Sequence, residues 1–459
     1  MQKNNLQLKP EKPVLQNITV EKQMYSTEKL TPIFETMGQK SALVVGGGAI
    51  GSFICDLLVR TGVKHLAVVD KDFYEIDNIP KSSFVIRYPE DINTSKAEAL
   101  AKNLSVLTLT GRTIKGVNID LKKIGPMALA NFDYVILALD NLAMKIFAQK
   151  LLKLCPKEKP TILSCGTNGE FTESMLFAQD GACLRCTIPD EWLLSENPET
   201  VHSCAAKINY LLPQKTLPIV STSGIASLVS AINIVRLVID HAKKSREFKA
   251  SERQVETTRS NDKGSHTEIA KLKNCPVCSM APPSNIVSLP GATNISTLRQ
   301  LLTQISFYYD TPFKLKVHIL EIPGVPEQIY DQFVIEETCR NCGESFKLHK
   351  HSGDIRQTQI VCDKCAQTVD ESYNRLENTN AIATRYFSLE ETPDDILDTT
   401  LLELGYPIGC YYETEPVVST AITEEICLSC LDVEDDNETE IADNKYFYLS
   451  DDRHFLFNE

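Results

Sequence analysis

The sequence begins without an apolar segment. MQKNNLQLKPEKPVLQ has no hydrophobic h-region, so no secretory signal is expected from it. A basic excess is missing too: 47 Lys and Arg stand against 61 Asp and Glu, a formal net charge of −14. Such a surface repels a phosphate backbone, which argues against nucleic acid as a partner. Uninterrupted hydrophobic runs are also lacking. The most apolar stretch, PIVSTSGIASLVSAINIVRLVI, carries five Ser or Thr before Asn233 and Arg236, which predicts a buried helix and not a membrane span. No internal repeat is evident. What remains is ordinary for a globular protein, with 42% apolar and 24% charged residues, and 459 residues suffice for two or three domains.

Cysteine, by contrast, is abundant. Fifteen cysteines with no signal peptide point to a reducing, cytoplasmic setting rather than a disulfide framework. Most are spaced two residues apart: Cys183/Cys186, Cys275/Cys278, Cys339/Cys342, Cys362/Cys365 and Cys427/Cys430. That spacing lets two thiolates reach one tetrahedral Zn²⁺ at about 2.3 Å. Cys339, Cys342, Cys362 and Cys365 have zinc-ribbon spacing within residues 337–367. Cys183, Cys186, Cys275 and Cys278 are far apart in sequence, and spacing alone joins them only weakly; Cys427/Cys430 has no obvious partner pair.

Along the chain, residues 1–30 read as a loose polar arm, 31–282 as one domain and 283–459 as a separate α+β module carrying the ribbon. SALVV predicts a buried strand, GGGAIG a turn, SFICDLLVRTG a helix stopped by Gly62, and KHLAVVD a strand ending in Asp70. This βαβ unit contains Gly46-x-Gly48-x-x-Gly51, glycines that let the backbone approach phosphates, with Asp70 placed to hold a ribose. ANFDYVILALDN predicts a strand ending in Asp140-Asn141, and KPTILSCGTNGE another ending in Cys165-Gly166. The pattern predicts an α/β doubly wound sheet with its ligand at the strand C-termini. Hydrophobic residues nearly vanish over 241–274, which predicts a mobile connection. ISTLRQLLTQIS reads as a helix and PFKLKVHILEI as a strand of the second module.

A dehydrogenase needs the glycines and the acid, but little else found here. Asp70, Asp72, Asn78, Lys81 and Lys96 surround the expected phosphate mouth. Lysines there suit a triphosphate during phosphoryl or nucleotidyl transfer, and Asp140 at a strand end suits Mg²⁺.

VVGGGAIGS, VVDKDFYEIDNI, DINTSKAEAL, VILALDN, CLRC and CPVC, in this order, resemble the ThiF/MoeB superfamily, the enzymes that activate ubiquitin-like and sulfur-carrier proteins. The resemblance covers residues 31–280 and is specific to several motifs. It implies a Rossmann-like adenylation domain that uses ATP and Mg²⁺ to adenylate the C-terminal carboxylate of a small carrier. It also implies Asp70 on the ribose, Lys96 on the phosphates, Asp140 on magnesium, and Asn78 at the family's asparagine. It joins Cys183, Cys186, Cys275 and Cys278 in one structural zinc site, and it implies a homodimer. Two features depart from the family. Lys81-Ser82 replaces an Arg-Gln pair, and no arginine precedes Arg60 where many members place one in the partner's site. Lysine supplies charge without a bidentate fork. Either Lys81, Arg87 or one of Lys22, Lys29 and Lys40 then compensates, or the rate is modest, or the site is degenerate.

PETVHSCAAKINYLL holds an unpaired cysteine. In compact thioester-forming members a cysteine followed by two alanines occupies this connection, so the resemblance marks Cys204 as the nucleophile, with His202 or Lys207 raising its thiolate fraction. The expected function is ATP-dependent activation of a ubiquitin-like protein, thioester transfer to Cys204 and hand-over to a conjugating enzyme. The alternatives are a sulfur-carrier adenylyltransferase that stops at the acyl-adenylate, a zinc-held binding module without catalysis, and a nicotinamide-dependent oxidoreductase.

Overall fold

A computed structural model of the chain describes residues 31–155, 160–168, 171–178, 181–188, 220–243, 251–257, 265–316, 333–351, 379–417, 445–449 and 456. Helix α1 (Thr31–Met37) leads into β1 (Ser41–Val45), whose five residues are all buried, as a strand covered on both faces requires. Helix α2 (Ala49–Arg60) crosses to β2 (His65–Asp70), and its end is marked by Gly62 at φ +79°. Helix α3 (Lys96–Ser105) precedes β3 (Thr113–Asn118), and the short α4 (Pro126–Leu129) precedes β4 (Tyr134–Leu137). Helix α5 (Leu142–Lys153) then leads to β5 (Thr161–Asn168) and β6 (Phe171–Phe177). The long α6 (Val220–Ala242) is followed by β7 (Ser251–Thr257) and β8 (Ser265–Ile269).

These eight strands form one sheet in the order β3-β2-β1-β4-β5-β6-β7-β8. The first five are parallel and the last three antiparallel. Alternate residues of β1 serve two cores. Leu43 and Val45 pack with Val135, Ile146 and Leu151 on one face, while Ala42 and Val44 pack with Ile54, Leu58, Leu100, Ile234 and Val238 on the other. Helices therefore cover both faces, the Rossmann-like arrangement, and the strand order reverses between β1 and β4. Within α6, Gly224–Ala242 is long and apolar enough to cross a membrane, but it packs on α2, β5 and β6.

Residues 241–274 differ from the expected mobile connection, because β7 and β8 lie within them. Their polar side chains pair across strands instead of alternating with apolar ones: Arg253 Nε lies 2.5 Å from Glu173 Oε1, and His266 Nε2 lies 3.0 Å from Glu252 Oε2. A pattern read for hydrophobic alternation misses strands held in this way.

The second module is a five-stranded sheet of β9 (Ile286–Leu289), β10 (Phe313–Lys316), β14 (Tyr386–Phe387), β15 (Tyr412–Pro416) and β16 (Lys445–Leu449), ordered β14-β10-β15-β16-β9. It packs on α7 (Leu298–Ser306) and α8 (Asp394–Leu397) through Leu301, Leu302, Ile305, Leu315, Leu397, Phe387 and Phe447. Between β10 and β14 the chain forms a three-stranded sheet, β12-β11-β13, from β11 (Phe333–Cys339), β12 (Ser345–His351) and β13 (Thr379–Thr384). The module is stitched to the large sheet at residues 123–127. There Gly125 N donates to Ile408 O at 2.8 Å, Met127 N to Gly409 O at 3.0 Å, and Ile408 N to Lys123 O at 2.8 Å.

Candidate active site

The glycine turn is the first piece of the site. Gly46 sits at φ +102°, which favours glycine, and a Cβ on it would lie 2.6 Å from Ala138 O. A Cβ on Gly51 would lie 1.8 Å from Gly46 O, so this glycine lets α2 close against the turn. A Cβ on Gly48 would meet nothing within 4 Å. The turn thus offers open backbone at the N-terminus of α2, where unpaired N–H groups and the helix dipole favour anions.

Asp70, at the end of β2, holds this turn. Its Oδ2 accepts from Gly47 N at 2.7 Å and its Oδ1 from Asp72 N at 2.9 Å. Burial pushes its carboxyl above the usual range, while those amides and Lys96 oppose the rise. On the other side, the fully buried Tyr74 donates its hydroxyl to Gly47 O at 2.8 Å. Lys96 opens α3, and its Nζ lies 3.7 Å from Asp72 Oδ2.

A cavity of about 550 Å³ lies along the C-terminal edge of the sheet, where the strand order reverses. It is lined by Gly46, Gly48, Asp70, Asp72, Asn78, Lys96, Asp140 and Asn141 among others. Eight of the residues named from sequence therefore come together. Asp140 lies three residues beyond the end of β4 and is exposed in the cavity. Asn141 caps α5, accepting from Met144 N at 3.1 Å. Asn78 has a local task as well, because its Oδ1 accepts from Glu75 N at 3.1 Å in a capping box. Asp140 shares the cavity lining with Asp70, Asp72 and Asp120, carboxylate oxygens of the kind a hard cation such as Mg²⁺ takes.

Other expected residues stand elsewhere. Lys81 is absent from the cavity lining and pairs with Asp77 at 3.3 Å. Arg87 donates from Nη2 to Asn103 Oδ1 at 3.2 Å. Lys40 precedes β1 and contacts Asp133 at 2.8 Å, at the edge of the sheet opposite the cavity. Lys22, Lys29, His202, Cys204 and Lys207 lie outside the described residues. Sequence reasoning missed Tyr74, Lys71, Asp120, Lys122 and Ser227, of which all but Tyr74 line the cavity. The end of β3, in the run VNIDLKK, carried a usable signal for Asp120 and Lys122: it ends a strand neighbouring β2.

Cys183, Cys186, Cys275 and Cys278 converge with all four sulfurs within 4.8 Å of one another. Neighbouring sulfurs lie 3.5, 3.6 and 3.9 Å apart. Four thiolates at about 2.3 Å from one tetrahedral Zn²⁺ stand about 3.8 Å apart, so the donor set fits zinc. In the three-stranded sheet, Cys339 and Cys342 share a turn closed by Gly343 N to Cys339 O at 2.8 Å, whereas Cys362, Cys365, Cys427 and Cys430 lie outside the described residues. Cys55, Cys155, Cys165 and Cys410 are buried, and burial pushes the Cys55 thiol up, away from thiolate character.

A nucleotide-sized cavity at a Rossmann switch point, with a glycine turn and a carboxylate on each side of it, defines an α/β nucleotide-binding domain. The ThiF family profile matches residues 26–277, more than half of the chain, and the protein belongs to the ThiF family. Among curated relatives, ubiquitin-like modifier-activating enzyme 5 of Culex quinquefasciatus is 39% identical over 74 residues, 16% of this chain and 18% of that one. Adenylyltransferase and sulfurtransferase MOCS3-1 of Zea mays is 27% identical over 172 residues, 36% of each chain. Sulfur carrier protein adenylyltransferase of Thermus thermophilus is 27% identical over 177 residues, 37% of this chain and 62% of that one. In each case the match spans less than two thirds of the relative's length.

Proposed function

We propose that this protein adenylates the C-terminal carboxylate of a ubiquitin-like or sulfur-carrier protein with ATP. The observation that carries this reading is the cavity holding Asp70, Lys96 and Asp140 along one sheet edge in a ThiF-family chain. Asp70 takes the ribose, its charge already fixed against Gly47 and Asp72. Gly48 leaves room for the phosphates at α2, and Lys96 exchanges Asp72 for them. Asp140 and Asn141 bind Mg²⁺, which supplies charge neutralisation on the phosphates. The four clustered cysteines hold a structural zinc, and Cys339 and Cys342 share a second with Cys362 and Cys365.

In this reading the acyl group then passes to Cys204 and on to a conjugating enzyme, in the cytoplasm, from a homodimer. A second reading, arrest at the acyl-adenylate for sulfur transfer, draws support from relatives with that activity in their names matching over 172 and 177 residues. ATP–pyrophosphate exchange dependent on a carrier tests adenylation; failure with every ubiquitin-like and sulfur-carrier protein tried would sink it. A reducing-agent-sensitive adduct lost in Cys204→Ala, with exchange retained, separates the two readings. An adduct that survives the substitution removes Cys204 from the pathway.

A further inference from the structure

Helix α5 reaches from the nucleotide cavity to the cysteine cluster, with a polar residue at every fourth position along one face: Asn141 at its cap, then Lys145 and Gln149. At about 1.5 Å per residue, this face runs about 12 Å from Asn141 to Gln149. A stripe of this kind ordinarily meets water. Here Lys145 is 2% exposed and Gln149 is fully buried, on a helix whose Ile146, Phe147 and Leu151 join the core.

The buried polar groups are tied to distant backbone. Lys145 donates from Nζ to Cys165 O at 2.6 Å, one residue before Gly166 of the cavity lining. Gln149 Oε1 accepts from Leu184 N at 2.6 Å, and Leu184 stands between Cys183 and Cys186 in the 3-10 turn Leu184–Thr187. The first amide of a helical turn has no carbonyl of its own turn to meet. Leu184 is buried as well, so the Gln149 carbonyl serves this amide where water does not reach. With Cys186 N donating to Cys183 O at 3.0 Å, it holds the turn that sets the two sulfurs 3.9 Å apart.

We propose that Gln149 is a positioning residue for the metal at the four cysteines, and that α5 makes metal loading and nucleotide binding favour each other. The coupling rests on both the zinc and the adenylation readings. The Cys183–Cys186 turn is the element with two states, metal-bound and metal-free. Metal binding fixes this turn, and the Leu184 amide then fixes Gln149. Through α5 the same constraint reaches the Asn141 cap and the end of β5 that Lys145 holds, both on the cavity. In the reverse direction, a nucleotide bound against Asn141 and Gly166 steadies α5 and with it the turn. Removing the Gln149 carbonyl leaves the Leu184 N–H buried without its acceptor, and the turn must shift to regain one.

The test uses the full chain and measures zinc affinity by chelator competition, with and without saturating AMP-PNP, an ATP analogue whose own binding is measured directly. The ion followed is the one that Cys275→Ser lacks. Gln149→Met keeps the side-chain length and removes the acceptor. Its zinc affinity is expected to fall about tenfold or more, the scale of a group that orients metal ligands from outside the coordination sphere. In the wild type AMP-PNP is expected to tighten zinc about fivefold, and in Gln149→Met to leave it unchanged. Lys145→Met cuts the other end of the stripe, so it should keep the zinc affinity and lose the AMP-PNP effect, which tests the coupling even if Gln149→Met does not fold. Unchanged zinc affinity in a folded Gln149→Met, no AMP-PNP effect in the wild type, or a full effect in Lys145→Met overturns the proposal. A wild type that binds no zinc at these cysteines, or no AMP-PNP, overturns it together with the reading of that site. Direct measurement of each ligand tells those results apart from a loss of coupling alone.

Discussion

Gly48 and Gly51 stand three residues apart on the same turn, yet an added methyl group would meet opposite surroundings. Gly51→Ala drives a Cβ to 1.8 Å from Gly46 O, and rigid backbone on both sides leaves no easy relief. A loss of about 3 kcal/mol in urea unfolding is expected, the upper range of overpacked sites. Gly48→Ala meets open space, so stability is expected to hold while the KM for ATP rises; equal instability in both variants would contradict these roles. Asp140→Ala is expected to keep the fold, since the carboxylate is exposed, and to lower pyrophosphate exchange about a hundredfold through lost magnesium. Wild-type exchange in that variant would remove Asp140 from the mechanism. The glycines, Asp70 and Asp140 were legible because each ends a predictable element. Tyr74 and Ser227 were not, because their roles depend on which distant backbone or cavity their hydroxyls meet.

Among the elements, α6 carries a pH dependence. His241, in its last turn, contacts the Tyr134 hydroxyl at 3.1 Å, and burial, with Lys40 nearby, lowers its pKa below the ordinary value of 6.5. A lowered histidine pKa favours the neutral form in the folded chain, so the unfolded chain binds its proton first as the pH falls. Stability is expected to be full above about pH 6.5 and to decline below it, less steeply in His241→Gln. Parallel decline in both proteins from pH 7.5 to 5.5 would clear His241 of the effect. The cysteine elements make a second expectation: two zinc ions per chain by elemental analysis, one of them lost in Cys275→Ser together with thermal stability. No zinc in the wild type would refute both sites. Parallel strands were readable as continuous apolar runs, Leu43–Val45 and Val135–Leu137. Strands β7 and β8 were hidden because charge pairs hold them, and the module's sheet was hidden because β9 and β16 pair across more than 150 residues of chain.

At the level of the whole molecule, a homodimer is expected, with a light-scattering mass about twice the chain's 51.3 kDa at micromolar concentration. A single-chain mass would contradict it. The seam at residues 123–127 has a further meaning. Lys122 lines the nucleotide cavity and also a second cavity of about 460 Å³ at the junction, bordered by Pro407, Cys410 and Tyr411 of the module. The next residue, Lys123, accepts the amide of Ile408. One short segment therefore serves as the rim of the chemistry and the hinge plate of the appended module. Whatever shifts one end of so short a lever works against the other, and free energies so linked are reciprocal. ATP should slow amide exchange at Gly125, Met127 and Ile408, whose N–H groups make the seam, and a ligand that pries at the module should loosen the grip on ATP by the same factor.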